Sequence, residues 1–295
     1  MKRQAGLDEP WTIRRLLTWA TPYFSRYAVD SPRLTAELLL AHALGLTRLD
    51  LFLQFDQPLE PGELAGFKTL VQRRVAGEPV AYMIGTQGFW TFELSVDPSV
   101  LIPRPETERL VACAVKRLPA AGNLPYSVVD LGTGSGAIVI ALAMERPDHR
   151  YLAVERSAGA LKTAQRNVRR LGVSDRVDLL RADWLSAVGS RAEFHLVVSN
   201  PPYIPTADIP GLQKEVAEHE PIAALDGGPD GLDCLRHLIH AAGQVLKPGG
   251  YLLMEMGWDQ QPGLRAAAAA AGGFEDPVFF KDFAGLDRVV ELRKK

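Results

Sequence analysis

The feature that most constrains the fold is an apolar run that passes directly into a glycine-rich segment and then into a second apolar run. Residues 128–131 read Val-Val-Asp-Leu, residues 132–136 read Gly-Thr-Gly-Ser-Gly, and residues 137–142 are again apolar. This order predicts a buried strand, a tight loop and a helix, and the glycines let the loop backbone approach a ligand closely. The loop need not hold a pyrophosphate, because Ala137 stands where the dinucleotide fingerprint usually has its third glycine.

Acidic and aromatic residues follow the next two predicted strands. Residues 151–154 form an apolar strand that ends at Glu155, about 20 residues after the loop, where an acidic side chain can accept both hydroxyls of a ribose. A third strand over residues 177–180 ends near Asp183 and Trp184, which suit the amine and the ring of an adenine. The alternatives are a solvated strand-end charge for Glu155 and a helix cap with a half-buried tryptophan for the pair.

A second motif, Asn200-Pro201-Pro202-Tyr203, follows the apolar residues 196–199, the predicted fourth strand. The Asn200 side-chain oxygen can accept one N–H of a planar nitrogen, and the Pro201 carbonyl, stiffened by Pro202, can accept the other. Two fixed acceptors favour the nitrogen as it becomes pyramidal, which assists methylation of an amide or an exocyclic amine. Tyr203 offers a ring face for the planar group. The alternative is a proline-rich turn after a buried strand.

These segments together predict a site at the carboxyl ends of parallel strands for a cofactor that carries adenosine but no phosphate. S-adenosylmethionine fits, because its methyl group is already activated on a sulfonium and the protein need supply only binding, orientation and electrostatics. The sequence therefore predicts S-adenosylmethionine as the cofactor.

The remaining organisation predicts an α/β protein with three segments. Residues 1–77 are helical and lack a cluster of chemically active residues, so they are interpreted as an N-terminal helical substrate-recognition domain. Alternating residues 87–96 predict a β-hairpin within a linker over 78–104. Strands and helices alternate over 105–295, which predicts a Rossmann-like methyltransferase sheet, parallel and covered by helices on both faces. Its last strands are expected near residues 251–256, 277–281 and 288–292.

Composition excludes several classes of protein. The net charge of -2 argues against a surface that neutralises many phosphates, so no direct nucleic-acid binding is predicted. The two cysteines match neither a disulfide framework nor a metal spacing, and His237 and His240 have no third ligand nearby, so no metal is predicted. No segment resembles a signal peptide or a membrane span. A cytoplasmic monomer without membrane contact is expected.

The chain resembles the release factor glutamine methyltransferases, the HemK/PrmC family, along almost its whole length. Asn-Pro-Pro-Tyr also occurs in adenine-N6 methyltransferases, whereas the segment 103–108 ahead of the glycine loop is more specific to this family. The segments that carry the resemblance are residues 77–82, 89–90, 101–108, 132–136, 200–203, 220–221, 224–228, 281–282 and 287–288.

The resemblance implies methyl transfer to the side-chain N5 of the glutamine in the Gly-Gly-Gln motif of class 1 peptide chain release factors. It also implies that Asn200, Pro201, Pro202 and Tyr203 hold the glutamine and act in catalysis. Relatives often carry Asp where this chain has Glu155, which keeps the charge but moves it by one methylene. With the strand-end argument above, the predicted cofactor contacts are Gly132, Thr133, Gly134, Ser135, Gly136, Glu155, Asp183, Trp184 and Asn200.

Two other functions are compatible with parts of this pattern. An adenine-N6 methyltransferase would use the same tetrapeptide, but it usually needs base flipping and a basic surface along the nucleic acid. A non-catalytic binding protein would leave the acceptor motif without a purpose. For Arg104 and Glu106 two interpretations stay open: orientation of the loop over cofactor or substrate, or favourable first-turn residues of a helix over 106–118.

Overall fold

The computed structural model of the chain describes residues 10–120, 125–189 and 194–295. Contacts divide the chain into two units. The first unit contains the residues up to Gly85 together with Lys214–His219, and the second contains Thr86–Gln213 and Glu220–Lys295. The domain boundaries expected after residues 77 and 104 stay a prediction, and the contacts group residues 78–85 with the first unit.

The first unit is helical, which confirms the N-terminal helical region. Its helix α1 (Ile13–Arg26) begins after Thr12, whose hydroxyl accepts the backbone N–H of Arg15. Helix α4 (Pro61–Val75) begins with a proline, whose missing N–H would have no partner in the first turn anyway. Buried aromatic and leucine side chains of α1, α2 and α4 fill its core. The other helices of this unit are α2 (Pro32–Leu44), α3 (Arg48–Leu53), α5 (Val80–Ile84) and α9 (Lys214–His219).

A β-hairpin opens the second unit and confirms the prediction made from residues 87–96. Strands β1 (Thr86–Phe89) and β2 (Phe92–Ser95) pair antiparallel. Trp90 lies in the turn with a φ of 55°, and its backbone N–H donates to Glu108 at 2.8 Å. Phe89 and Leu94 are buried.

A seven-stranded mixed sheet forms the centre of the second unit in the described residues, with the order β5-β4-β3-β6-β7-β9-β8. The first five strands in this order are parallel. One strand differs from the parallel arrangement expected: β9 runs antiparallel to both of its neighbours, β7 and β8. The short turn from β8 to β9 reverses the chain, so these two strands pair antiparallel. The strands are β3 (Ser127–Leu131), β4 (Arg150–Glu155), β5 (Val177–Arg181), β6 (Phe194–Ser199), β7 (Leu246–Glu255), β8 (Val278–Lys281) and β9 (Asp287–Arg293).

The strand order reverses between β3 and β6, and this reversal positions the site. From β3 the chain continues to β4 and β5 on one side, and then returns to β6 and β7 on the other. In open α/β sheets, ligands bind outside the carboxyl ends of the strands at such a switch point. The glycine loop follows β3 and Asn200 follows β6, so both sequence motifs meet there.

Helices of the second unit cover the sheet with apolar side chains. Helix α7 is buried almost all round, and α10 and α11 share one buried cluster with residues of β6, β7 and β9. No helix among the described residues is both long enough and apolar enough to cross a membrane. These helices are α6 (Thr107–Arg117), α7 (Ala137–Glu145), α8 (Ala158–Arg170), α10 (Asp233–Val245) and α11 (Gln261–Ala271).

Candidate active site

The glycine loop after β3 adopts a backbone that only glycine enters without strain. Gly132, Gly134 and Gly136 have φ values of 72°, 57° and 86°. A Cβ atom on Gly132 would lie 3.4 Å from the ring of Trp184, so a side chain there would meet the wall of the cavity. Below the loop, the Thr133 hydroxyl donates to the Asp130 carboxyl at 2.6 Å. The loop is therefore held from beneath and open to a ligand above.

Glu155 connects the end of β4 to the glycine loop. One carboxylate oxygen accepts the backbone N–H of Gly134 at 3.0 Å, and the other accepts that of Ser157 at 2.8 Å. A phosphate bound by this loop would need the Gly134 N–H and would be repelled by the carboxylate beside it. The loop thus suits an adenosine without phosphate groups. S-adenosylmethionine is such a ligand.

A cavity of about 220 Å³ lies over the loop and the neighbouring strand ends. Trp184 forms part of its wall with a φ of 48°, a left-handed backbone that is unusual for a bulky residue. Three residues named from the sequence, Gly136, Pro201 and Tyr203, are not part of the lining. The predicted residues that do line it are Gly132, Thr133, Gly134, Ser135, Glu155, Asp183, Trp184, Asn200 and Pro202.

Asn200 stands at the edge of this cavity with its amide oriented by a neighbour. Its Nδ2 donates to the Thr107 hydroxyl at 3.2 Å. Within the part of the chain that the structure describes, no donor reaches its Oδ1, so this oxygen stays available as an acceptor. The Tyr203 hydroxyl donates to Glu255 at 2.9 Å, and burial raises the pKa of Tyr203.

A glycine-containing loop over residues 225–231 supports the backbone of the tetrapeptide from behind. Ile204 N–H donates to the Leu225 carbonyl at 3.1 Å, and Gly227 N–H donates to the Ile204 carbonyl at 2.9 Å. The Gln260 amide donates to the Tyr203 carbonyl at 2.8 Å. A Cβ atom on Gly227 would lie 2.8 Å from the Tyr203 Cα, so the two segments touch backbone to backbone.

Arg104 and Glu106 are placed apart from the cavity lining. Arg104 forms an ion pair with the buried Glu220, whose carboxylate also accepts the Ile102 N–H at 3.2 Å. Glu106 is the N-cap position of α6, which begins at Thr107. The ion pair secures the segment before α6.

Sequence reasoning missed four polar residues that hold the site in place: Thr107, which also lines the cavity, and the buried Glu220, Glu255 and Gln260. A signal existed for Glu255, since it ends β7 in the register next to Asn200, just as Glu155 ends β4. Thr107 and Glu220 lie in segments that carry the family resemblance, but the sequence does not reveal their partners, because these contacts join segments more than a hundred residues apart.

The switch-point cavity, the glycine loop and the acceptor motif after the next strand define an S-adenosylmethionine-dependent methyltransferase. The release factor glutamine methyltransferase of Geobacter sulfurreducens is 46% identical over 282 residues, covering 96% of each chain. That of Rhodopirellula baltica is 39% identical over 289 residues, covering 97% of this chain and 98% of the other. The chain belongs to the release factor glutamine methyltransferases.

Family models agree with this assignment, and solved structures share the fold. The PrmC N-terminal domain matches residues 15–85, and the methyltransferase small domain matches residues 109–216. A methyltransferase from Pyrococcus furiosus superposes with a TM-score of 0.51 at 16% identity, over 76% of this chain and 96% of that chain. The 16S rRNA methyltransferase RsmC of T. thermophilus, solved with AdoMet and guanosine, superposes with a TM-score of 0.51 at 18% identity. The match covers 71% of this chain and 50% of that chain. At such identities the likeness shows the fold alone.

Proposed function

We propose that this chain transfers a methyl group from S-adenosylmethionine to the side-chain N5 of the glutamine in the Gly-Gly-Gln motif of class 1 release factors. The observation that carries the proposal is that Asn200 Oδ1 accepts no hydrogen bond from any described residue and lies at the edge of a cavity suited to adenosine, in a chain whose relatives bear that activity in their name. The substrate amide is planar and non-basic, which is the kind of nitrogen that such an acceptor can activate.

Asn200 Oδ1 and the Pro201 carbonyl are the proposed acceptors for the two N–H groups of the glutamine amide. Their dipoles favour the amide nitrogen as its lone pair localises and its N–H groups become more positive. When bound, S-adenosylmethionine supplies an activated methyl group, whose bond to the sulfonium sulfur breaks towards sulfur as the N–C bond forms. The methylated nitrogen then loses one proton to water, so no side chain need act as a strong base.

Glu155, Asp183 and Trp184 are the proposed contacts of the adenosine. Glu155 keeps lone pairs available for the ribose hydroxyls beside its bonds to Gly134 and Ser157. Asp183 and Trp184 follow β5 and line the same cavity, where a carboxylate and an indole suit the adenine. The glycine loop lets the backbone approach the cofactor closely.

The setting that we propose is the cytoplasm, where translation takes place, with the enzyme acting as a monomer and without membrane or direct nucleic-acid contact. The net charge of -2 supports the absence of a nucleic-acid surface. The alternative, an adenine-N6 methyltransferase, is not favoured, because the relatives found over nearly the full length are named for release factor glutamine.

An assay with tritiated S-adenosylmethionine tests the function. Release factor, its Gly-Gly-Ala variant and duplex DNA are offered in parallel. We expect label in the release factor only. Label in the Gly-Gly-Ala variant would place the acceptor on another residue, and label in DNA would favour the alternative.

A further inference from the structure

A buried chain of hydrogen bonds lies behind the acceptor motif and has no part in the function described so far. Glu255 ends β7 and is 1% exposed. Its Oε2 accepts the Thr107 hydroxyl at 2.6 Å, and its Oε1 accepts the Tyr203 hydroxyl at 2.9 Å. The Thr107 hydroxyl oxygen in turn accepts a hydrogen bond from Nδ2 of Asn200 at 3.2 Å. One carboxylate therefore stands behind both polar side chains of the tetrapeptide. Glu255 and Thr107 are here called the relay.

The direction of the donors in the relay follows from the chemistry of a carboxylate. Each carboxyl oxygen of Glu255 accepts a hydroxyl, Oε2 that of Thr107 and Oε1 that of Tyr203, so the Thr107 proton points at Glu255. The remaining lone pairs of the Thr107 oxygen then face Asn200, and only the NH₂ group of the amide can complete the contact. Oδ1 is consequently turned to the opposite side of the amide, where the substrate N–H is expected.

We propose that Glu255 and Thr107 are positioning residues for methyl transfer: the relay holds the Asn200 amide with its oxygen towards the substrate and anchors the Tyr203 ring by its hydroxyl. This inference rests on the proposed function. Without the relay, the Asn200 side-chain amide could rotate by half a turn and exchange the positions of its oxygen and its NH₂ group. The rotated amide would present its N–H groups to the N–H groups of the glutamine. The relay removes that non-productive orientation before substrate arrives, which is preorganisation of the acceptor.

A buried carboxyl group at the position of Glu255 costs stability, so packing alone does not explain its presence. Burial raises the pKa of Glu255, and Glu106 adds to this rise, while the Thr107 and Tyr203 hydroxyls and the Arg288 guanidinium oppose it. Burying a carboxyl group costs free energy that an apolar side chain of similar size would not cost. A side chain that served packing alone would not need a carboxyl group.

The test compares Glu255→Gln and Thr107→Val with two matched controls. Gln keeps the size of Glu255 but can donate to Thr107, which reverses the relay, and Val keeps the shape of Thr107 without a hydroxyl. Thr107→Ser restores the hydroxyl. Glu291→Gln alters another buried strand carboxylate, which pairs with Arg117 on the same sheet and stands outside the site.

We expect Glu255→Gln and Thr107→Val each to lower the single-turnover methylation rate roughly 10- to 100-fold, as for other residues that orient a functional group. The melting temperature of Glu255→Gln should not fall below that of wild type. The dissociation constant for S-adenosylmethionine should stay within about threefold of wild type for Glu255→Gln, because Glu255 does not line the cavity. Thr107 lines it, so in Thr107→Val the dissociation constant should change less than the methylation rate does. Thr107→Ser should recover most of the rate. The double variant that carries both Glu255→Gln and Thr107→Val should lose no more rate than the more severe single variant, since both act through Asn200.

Turnover within threefold of wild type for both variants would overturn the proposal. So would a loss of turnover in Glu255→Gln that is matched by an equal loss of thermal stability, which is the pattern expected of Glu291→Gln. The wild-type rate on release factor tests the proposed function by itself, and the ratio of variant to wild-type rates tests the relay. The two can therefore fail separately.

Discussion

Asn200 is the residue on which the proposed chemistry depends most directly. Asn200→Ala removes one of the two acceptors proposed for the substrate amide, and the Thr107 oxygen loses the N–H that it accepts. By analogy with the loss of one oxyanion-hole donor, we expect turnover to fall roughly 10²-fold or more. Affinity for S-adenosylmethionine should fall less than turnover does. Single-turnover kinetics and calorimetry separate the two, and a rate within threefold of wild type would remove Asn200 from the mechanism.

Glu155 is the residue expected to control cofactor affinity. Glu155→Ala removes the proposed ribose acceptor and also the partner of the Gly134 and Ser157 N–H groups. Hydrogen bonds to a charged group contribute about 1.5 to 3 kcal/mol, so the dissociation constant should rise between roughly tenfold and a few hundredfold. Glu155→Asp, which keeps the carboxylate on a side chain one methylene shorter, is the control and should lose much less. Unchanged affinity of the Ala variant in titration calorimetry would place the ribose contact elsewhere.

Asp130 gives the fold a pH dependence whose sign can be stated. Burial raises its pKa from 3.8 to about 7, against the opposing hydrogen bond from Thr133. The folded carboxyl keeps its proton where the unfolded one has lost it, so this group's contribution to stability is full at low pH and is lost as pH rises through the folded pKa. Asp130→Asn lacks this titration. Its free energy of unfolding relative to wild type should therefore increase between about pH 4 and pH 7, by at most about 4 kcal/mol. Urea unfolding at several pH values measures the difference, and a constant difference would contradict it.

At the scale of elements, the loop over residues 225–231 holds the acceptor motif in place. A Cβ atom on Gly231 would lie 2.4 Å from the Tyr203 carbonyl oxygen. Gly231→Ala must therefore displace the tetrapeptide, whereas Gly285→Ala, at a similar left-handed φ but with nothing within 4 Å, adds backbone strain alone. We expect the Gly285 variant to lose about 1 to 2 kcal/mol of stability with normal turnover. The Gly231 variant should lose more stability and most of its turnover. Equal effects in thermal unfolding and turnover would show that the loop does not support the motif.

The parts of the fold and site that could be predicted from the sequence are those that depend on a short, continuous segment of the chain. Strand, loop and helix around Gly132 follow from a local pattern, and Glu155 and Asn200 were found because each directly follows an apolar strand. Thr107 could not be found in this way, since it meets Glu255 and Asn200 only once α6 packs beside the ends of β6 and β7. The antiparallel β9 was misjudged for a related reason: strand direction depends on the connection, which apolar pattern does not reveal.

At the scale of the whole molecule, the chain enters the helical unit twice. The residues up to Gly85 form most of it, and Lys214–His219 return to it from the segment that follows the acceptor motif. Within that unit Glu215 pairs at 2.7 Å with Arg74, whose side chain is 7% exposed. This ion pair joins α9 to α4 within the unit. The segment between the acceptor motif and Glu220 therefore contains residues of both units.

The helical unit is proposed to recognise the release factor and to take no part in the chemistry. Among the described residues, the cavity lining comes entirely from the second unit, and a single glutamine offers too few atoms to be selected by a pocket alone. Binding energy from a remote surface must then position the Gly-Gly-Gln loop. Truncated chains that begin at Gly77 and at Thr86 should keep their affinity for S-adenosylmethionine and their activity on a short Gly-Gly-Gln peptide. Their kcat/KM on intact release factor should fall by at least about tenfold, since remote binding energy is lost. Cofactor affinity, measured by calorimetry, is the control for folding. Truncated chains that bind cofactor and methylate the intact factor as efficiently as the full chain would show that the helical unit has another purpose.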